Sequence, residues 1–326
     1  MTHRPPIEPV PQGEARPRWS VMIPTYQCAG YLRQALESVL AEDPGPERMQ
    51  IEVVDDASSD DPDVVVGSYG GRVAFHRQPR NVGHVGNLNA CLARSRGELV
   101  HVLHGDDAVR PGFYAALERG FAGPEVGAAF CRFVAIDDAG RWTTIAPLEA
   151  DEDGVLEGWL ERLALGQRIQ TPAIAVRRSV YEQLGGFDDR VGDAEDWEMW
   201  TRIAAHTRVW HVVEALALYR IRSGSLSRES LRSGEHVRHL RRVVELNRDL
   251  LPPERREELT RRALEVVAVT AIKRARRLLA QGDRPAARAL VREALRTSRS
   301  PAVLAALTRL GAGATWRTLR SMRRRA

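Results

Sequence analysis

The chain has 326 residues, 43% of them hydrophobic, so it is long enough for one large domain or two ordinary ones with a substantial core. Its three cysteines lie far apart, without CxxC or Cys/His spacing, which argues against a disulfide framework or zinc site and favours a reducing compartment. No stretch reaches the roughly 18 apolar residues that cross a bilayer, and residues 1–19 lack the apolar core of a secretory signal. We therefore expect a cytoplasmic globular protein.

The net charge of +5 conceals an asymmetry along the chain. Residues 270–326 hold 15 Arg and Lys against 2 acidic residues, so the rest of the chain is net acidic. Such a tail indicates either an anionic partner surface or a solvated helix face in an arginine-rich chain. Leu310, Trp316 and Leu319 lie among the arginines, as in an interfacial helix, and predict peripheral contact with the inner face of the cell membrane. No zinc spacing or aromatic stacking pattern accompanies the charge, so we expect no specific nucleic acid partner.

The first half of the chain alternates apolar and helical stretches after a proline-rich start. Residues 1–17 contain five prolines and predict a disordered arm. The predicted strands are "SVMIP", "IEVVDD", "RVAFHR", "ELVHVL" and "GAAFCRFVAI", and segments between them, such as "AGYLRQALESVLA", have helical apolar spacing. This alternation is typical of an α/β, doubly wound, mostly parallel sheet with flanking helices, whose ligands lie beyond the carboxyl ends of the strands.

Beyond Asp137 the pattern is less regular. "WTTIAPLEADEDG" predicts a hairpin or loop, "VLEGWLERLALG" a helix, and "TPAIAVRRSVYEQL" a strand and a helix that ends at two glycines. "EDWEMWTRIAAH" predicts a helix with an acidic start, and "LALYRI" a late strand. "LLAQGDRPAARALVREAL" predicts a helix pair around a Gly-Asp turn. The predicted division is a folded domain at 18–227 and a basic C-terminal all-helical region at 228–326.

Two pairs of acidic residues follow buried strands of the predicted sheet. Asp55 and Asp56 end the second strand, and Asp106 and Asp107 follow the fourth, in "LHGDD". Each pair alone is ordinary turn chemistry, but the carboxyl ends of parallel strands share one sheet edge, so an acidic site is expected there. A nicotinamide-binding fold and a P-loop ATPase are disfavoured, because no GxGxxG follows the first strand and GxxxxGK[ST] is absent.

Six stretches between Ser20 and Ser227 carry a family resemblance: "SVMIPTYQCAGYL", "IEVVDDASSDD", "NVGHVGNLNACLARSRGELVHVLHGDD", "RRSVYEQLGGFDD", "EDWEMWTRIA" and "LALYRIRSGSLS". In this order they resemble the inverting family 2 glycosyltransferases with the GT-A fold. The resemblance implies transfer of a sugar from a nucleotide-diphosphate sugar to an unidentified acceptor hydroxyl, lipid-linked acceptors included, in polysaccharide, glycolipid or natural-product glycoside synthesis. It also implies Mn²⁺ or Mg²⁺, because hard oxygen ligands suit these ions and the departing diphosphate is anionic.

The resemblance assigns roles at positions that match the family's motifs. Asp106 is implied to bind the metal, with support from Asp107. The implied nucleotide-sugar-binding residues are Pro24, Thr25, Tyr26, Asp55, Asp56, Asn81, Gly83, Asn89, His104 and Arg222. Three positions depart from the family's usual pattern: His104 stands where Asp is commonest, Leu88 where many relatives have Arg, and Arg222 where His is frequent. Arginine cannot ligate a cation, but it can pair with phosphate.

Asp196 matches the family's catalytic base, and Glu195 is its neighbour. A carboxylate within hydrogen-bond reach is sufficient to take the proton of an acceptor hydroxyl. Capping of a helix N-terminus by the two acids is the alternative, and it is compatible with a catalytic role. Two other functions stay open: a catalytically silent relative that only binds nucleotide sugar, and a nucleotidyltransferase, whose usual glycine-rich signature is absent here.

Overall fold

The computed structural model describes residues 3–11, 13–222 and 226–310. The chain divides into two compact units, one formed by residues 1–163 and 167–223 and the other by residues 164–166 and 224–326. The first unit contains the sheet, and the second is helical. No helix in the described ranges is long and apolar enough to cross a membrane.

One mixed sheet organises the described part of the first unit. Its strands are β1 Trp19–Thr25, β2 Met49–Asp55, β3 Ala74–Arg77, β4 Leu99–Val102, β5 Ala108–Val109, β6 Val126–Ile136, β7 Trp142–Ile145, β8 Gly154–Val155, β9 Ile174–Arg177 and β10 Arg208–Arg220. The order is β3-β2-β1-β4-β9-β6-β10-β5, with β7 on β6 and β8 on β10. The first four strands of that order are parallel, as are β6 and β10, whereas β9 runs antiparallel to both neighbours. The carboxyl ends of β1, β2 and β4 therefore meet at one edge.

Helices cover both faces of this sheet. They are α1 Ala29–Leu40, α2 Pro62–Gly67, α3 His84–Arg94, α4 Phe113–Gly120, α5 Trp159–Ala164, α6 Arg178–Leu184 and α7 Glu195–His206, with 3₁₀ turns at Thr171–Ala173 and Asp189–Ala194. Alternate residues of β1 point to opposite faces. Val21 and Ile23 join one core cluster with Leu36 of α1, and Met22 joins the other with Leu88 of α3. The predicted mostly parallel sheet with flanking helices is confirmed.

The second unit consists of helices in its described part: α8 Leu226–Ser233, α9 Glu235–Asn247, α10 Arg256–Ala280 and α11 Arg284–Thr297, with a 3₁₀ turn at Arg248–Leu250 and a helical stretch at 301–310. The predicted helix pair is confirmed as α10 and α11. Gly282 takes a positive φ of 85° between them, and the Asp283 side chain caps α11 by accepting from the Ala286 N–H at 3.2 Å. The predicted membrane-contact residues Trp316 and Leu319 lie outside the described residues.

The N-terminal segment differs from the predicted disordered arm. Ile7 is buried, and the Pro5 carbonyl accepts from the Gly186 N–H at 2.8 Å. The Arg4 guanidinium pairs with the buried carboxylates of Asp188 at 2.9 Å and Glu198 at 2.8 Å. The prolines that suggested disorder are compatible with an extended segment, and one buried apolar side chain and one arginine attach it to the domain.

Candidate active site

Backbone hydrogen bonds join the ends of the three parallel strands at the predicted edge. The Asp56 N–H donates to the Thr25 carbonyl at 2.9 Å, and the Gly105 N–H donates to the Pro24 carbonyl at 3.0 Å. A Cβ at Gly105 would lie 2.7 Å from Thr25 Oγ1, so only glycine fits this close approach. Predicted residues Pro24 and Thr25 are buried here, while Tyr26 is exposed beside them. The edge is therefore a fixed platform for the acidic residues.

Asp56 organises the loop between β3 and α3. Its carboxylate accepts from the Val82 N–H at 2.6 Å and the Gly83 N–H at 3.0 Å, while Asn81 Oδ1 also accepts from the Gly83 N–H at 3.0 Å. Gly83 has a φ of 80°, which favours glycine. Burial raises the pKa of Asp56 although the two amide bonds lower it. The structure thus brings together predicted residues Asp56, Asn81 and Gly83.

Two other predicted nucleotide contacts have different partners. The buried Asp55 carboxylate pairs with Arg77 Nε at 2.8 Å and accepts from the Ser58 N–H, so it holds the turn after β2. The Asn89 side chain exchanges hydrogen bonds with the backbone of Phe187, at 3.0 and 2.7 Å, and ties α3 to the loop after α6. Both side chains therefore fix the chain segments around the site, and neither is brought to the other predicted residues by these contacts.

The turn after β4 carries His104, Asp106 and Asp107. Asp107 is buried; its Oδ1 accepts from the Arg220 N–H at 2.7 Å, and its Oδ2 lies 3.4 Å from His104 Nδ1. Burial, together with the nearby charge of Asp106, raises the pKa of Asp107 to about 6, against the lowering effect of His104. Asp106 is more open, and its Oδ2 lies 2.6 Å from Arg222 Nε. The predicted residues of the turn after β4 thus lie in one cluster with Arg222, which follows β10.

A second pair of acids reaches the cluster from the start of α7. Glu195 is buried, and its Oε1 lies 2.8 Å from His84 Nε2. The His84 ring stands 5.4 Å from the His104 ring, which links this pair to the turn after β4. Burial lowers the pKa of His84, but the charge and hydrogen bond of Glu195 more than offset that effect, so the pKa is raised. His84 therefore lies between the acidic start of α7 and the acidic turn after β4.

Asp196 lies next to Glu195 in the first turn of α7. Acids in this turn suit the positive end of the helix, and Asp196 Oδ1 accepts from the Trp197 N–H at 2.6 Å. Burial, followed by the negative charge of Glu195, nevertheless raises the pKa of Asp196 well above its ordinary value. In its deprotonated form such a carboxylate is a stronger base than an ordinary aspartate.

Two arginines at the end of β10 add positive charge. Arg220 is buried, and its guanidinium donates to the carbonyls of Asp106 and Asp137 and to Gln34 Oε1. The Arg220 and Arg222 guanidinium carbons lie 4.7 and 5.8 Å from the centre of the Tyr31 ring. Both cations therefore lie beside the turn after β4.

The residues present do not fit a divalent cation site well. Asp106, the predicted ligand, is already paired with a guanidinium. Asp107 Oδ1 accepts from the Arg220 N–H, and Asp107 Oδ2 lies 3.4 Å from His104 Nδ1 without a hydrogen bond. Within residues 3–11, 13–222 and 226–310, no group of three or more His, Cys, Asp or Glu side chains could hold a metal ion. The metal role of Asp106 and Asp107 stays a prediction, and no step below runs through a bound cation.

Four buried polar atoms of the cluster lack a hydrogen-bond partner among the described residues. They are Nε2 of His104, Oδ2 of Asp107, Oε2 of Glu195 and Nε of Arg222. A buried polar atom without a partner costs free energy, so such atoms mark places where a ligand or water binds. His84 was missed from the sequence, because no periodicity or motif connects this first residue of α3 with Glu195, 111 positions away.

Solved structures share this fold. Mannosyltransferase PcManGT from Pyrobaculum calidifontis, in complex with GDP-Man and Mn²⁺, aligns with a TM-score of 0.58 and 22% identity over 97% of this chain and 87% of its own. S. aureus TarS 1-349, in complex with UDP-GlcNAc, aligns with a TM-score of 0.58 and 15% identity over 87% of this chain and 93% of its own. A longer TarS chain is covered over only 43% of its length. These likenesses show a GT-A-like fold.

Curated proteins and a family model are similar to this chain in sequence. An uncharacterized protein of Mycobacterium tuberculosis is 32% identical over 63% of this chain and 68% of its own length. The succinoglycan biosynthesis protein ExoO of Rhizobium meliloti is 28% identical over 65% of this chain and 63% of its own. The model of glycosyl transferase family 2 matches residues 20–185, half of the chain. The chain therefore belongs to glycosyl transferase family 2.

Proposed function

We propose that the chain transfers a sugar of the hexosyl type from a nucleotide-diphosphate sugar to an acceptor hydroxyl, with inversion at the anomeric carbon. The observation that carries this proposal is the cluster in which Asp106, Glu195 and Asp196 meet at the carboxyl edge of the sheet. The ligands of the similar structures, GDP-Man and UDP-GlcNAc, support a donor of this class. Asp56, Asn81 and Gly83, with Tyr26 across the edge, are the proposed nucleotide-binding residues.

In the proposed reaction Asp196 is the general base. The acceptor oxygen forms a bond to the anomeric carbon while its proton passes to Asp196. The bond between that carbon and the diphosphate oxygen breaks on the opposite side, and its electron pair leaves with the nucleoside diphosphate. The raised pKa makes the deprotonated carboxylate a stronger base than an ordinary aspartate, which favours transfer of the proton from the acceptor hydroxyl.

Polysaccharide, glycolipid or natural-product glycoside synthesis is the proposed setting, and the similarity to a succinoglycan biosynthesis protein supports the first of these.

Peripheral contact with an anionic membrane stays a prediction of the basic tail. Sedimentation with vesicles of anionic lipid at low salt tests it: we expect the full-length chain to be retained and a chain truncated after residue 310 to be released. Equal release of both chains would remove the membrane from the proposal.

A donor panel tests the proposed activity. The chain is incubated with UDP-, GDP- and dTDP-sugars, with Mn²⁺, with Mg²⁺ and with EDTA, while donor binding and nucleoside diphosphate release are measured. We expect one donor class to bind and to be hydrolysed slowly by water in the absence of acceptor. Binding without release for any donor would favour the catalytically silent relative. Absence of binding across the panel would overturn the proposal.

A further inference from the structure

Arg222 occupies the place at the acidic turn where a metal ion is expected. Its Nε lies 2.6 Å from Asp106 Oδ2, and its Nη1 donates to the Gln27 carbonyl at 3.2 Å. Neither side chain is fully exposed, with 24% of Arg222 and 17% of Asp106 accessible to solvent. The two charged groups form an ion pair at this distance, although Arg222 Nε makes no hydrogen bond to a described residue. A divalent cation on Asp106 would have to displace or closely approach this guanidinium.

The neighbouring groups leave few ligands for a cation but many donors for an anion. Asp107 Oδ1 is used by the Arg220 N–H, Asp107 Oδ2 faces His104 Nδ1 at 3.4 Å, and Arg220 adds a second guanidinium beside the same turn. A guanidinium has five N–H groups in a planar fork, and the one hydrogen bond from Arg222 to a described residue is that of Nη1 to the Gln27 carbonyl. The remaining donors suit phosphate oxygens, which arginine binds bidentately.

These contacts oppose the metal expected from the family resemblance. We propose that the Arg222 guanidinium, held on Asp106, takes the place of a divalent cation at the donor diphosphate, so that donor binding and transfer need no metal. This inference rests on the proposed function. Charge that develops on the departing diphosphate is stabilised by Arg222, with Arg220 as the positioning residue that fixes the Asp106 backbone.

The measurement is the affinity for the nucleoside diphosphate of the donor identified by the panel, in EDTA and in excess Mn²⁺. For the unaltered chain we expect affinities that differ by less than about threefold between the two conditions. Arg222→Ala removes charge-assisted bonds worth about tenfold or more in affinity, and Mn²⁺ does not restore them. Arg222→Lys keeps a point charge and is expected to retain part of the affinity.

Arg222→His is the most discriminating variant, because it installs a side chain that can ligate a metal. In EDTA it is expected to bind about tenfold more weakly than the unaltered chain, and Mn²⁺ is expected to recover affinity that Arg222→Ala does not recover. Arg119→Ala is the matched control. Arg119 also pairs with an aspartate, Asp153 at 2.9 Å, and it lies outside the cluster, so binding should not change. Thermal unfolding confirms that each variant is folded.

Four outcomes distinguish a failure of this inference from a failure of the proposed function. Affinity or turnover that collapses in EDTA and returns with Mn²⁺ overturns the inference and leaves the glycosyltransferase activity standing. Arg222→Ala with unaltered affinity also overturns it. Absence of any nucleotide-sugar binding in both conditions overturns the inference together with the proposed function. Metal-independent binding lost in Arg222→Ala supports both.

Discussion

His84 Nε2 lies 2.8 Å from Glu195 Oε1, and this contact ties the start of α3 to the start of α7. Glu195 is buried and next to the proposed base, Asp196. The orientation of the first turn of α7 therefore depends on a histidine far away in the chain. The pair also balances charge, because an unpaired buried carboxylate would be costly.

His84→Ala is expected to lower both stability and activity. The loss in unfolding free energy is about 1 kcal/mol or less, because His84 is half-exposed and solvent screens the pair. Since the folded-state pKa of His84 is raised, this contribution is fully present below the ordinary pKa of 6.5 and is lost as pH rises through the folded-state value. Thermal unfolding of His84→Ala and of the unaltered chain, from about pH 5 to about pH 9, measures how the difference in stability depends on pH. A difference from the unaltered chain that grows with pH would contradict the pairing.

Glu195→Gln is expected to move the acidic limb of the pH–activity profile to lower pH. The active form of Asp196 is deprotonated, and burial and the charge of Glu195 raise its pKa, so activity should rise with pH through that raised value. Removal of the neighbouring charge lowers the pKa and shifts the limb down. The measurement is kcat/KM for the donor against pH, with Asp153→Asn as a control outside the cluster. An unmoved limb would mean that Asp196 does not set the profile.

Asp56→Asn is expected to loosen the loop at Val82 and Gly83. The carboxylate accepts two backbone N–H groups, whereas an amide has one acceptor oxygen. The cost is about 1–3 kcal/mol in unfolding free energy, with weaker donor binding. Denaturant unfolding and donor titration of the same variant give both quantities. Donor affinity that falls without any loss of stability would assign Asp56 to the ligand alone.

Ile7→Ala tests the packing of the N-terminal segment. Ile7 is buried, so truncation should lower the free energy of unfolding by about 2 kcal/mol or more. Val64→Ala is the matched control, because Val64 is 72% exposed and its truncation should change stability by no more than about 0.5 kcal/mol. Urea unfolding compares the two variants. Equal stabilities would return residues 1–17 to the disordered arm that their composition predicts.

Local hydrophobic patterns in the sequence predict many of the helices and strands. The spacing of Leu32, Leu36 and Val39 predicts α1, and the apolar runs before Asp55 and Asp106 predict β2 and β4, because burial of one face requires that periodicity. The antiparallel placement of β9 between β4 and β6 was not predicted, since strand order depends on contacts between distant segments. The N-terminal segment was missed for the same reason, because Ile7, Arg4 and the Pro5 carbonyl attach it to residues far away in the chain.

The sequence likewise predicts some residues of the candidate site and not others. Asp106 and Arg222 lie in motifs at strand ends, so the sequence could associate them with one sheet edge, and the structure pairs them. The resemblance implies that Asn89 binds the nucleotide sugar, and in the structure its amide exchanges hydrogen bonds with the Phe187 backbone. His84 has no sequence signal, because its importance comes from the proximity of Glu195, which only the folded chain creates.

The most direct test of the account is the reaction of Asp196→Asn. We expect kcat for sugar transfer to fall about a hundredfold or more, because the amide cannot take the acceptor's proton, while the dissociation constant of the nucleotide sugar changes little. Time courses of nucleoside diphosphate release give kcat, and donor titration of the same preparation gives the dissociation constant. Full turnover by Asp196→Asn, at unaltered donor affinity, would contradict the assignment of the base and with it the proposed mechanism.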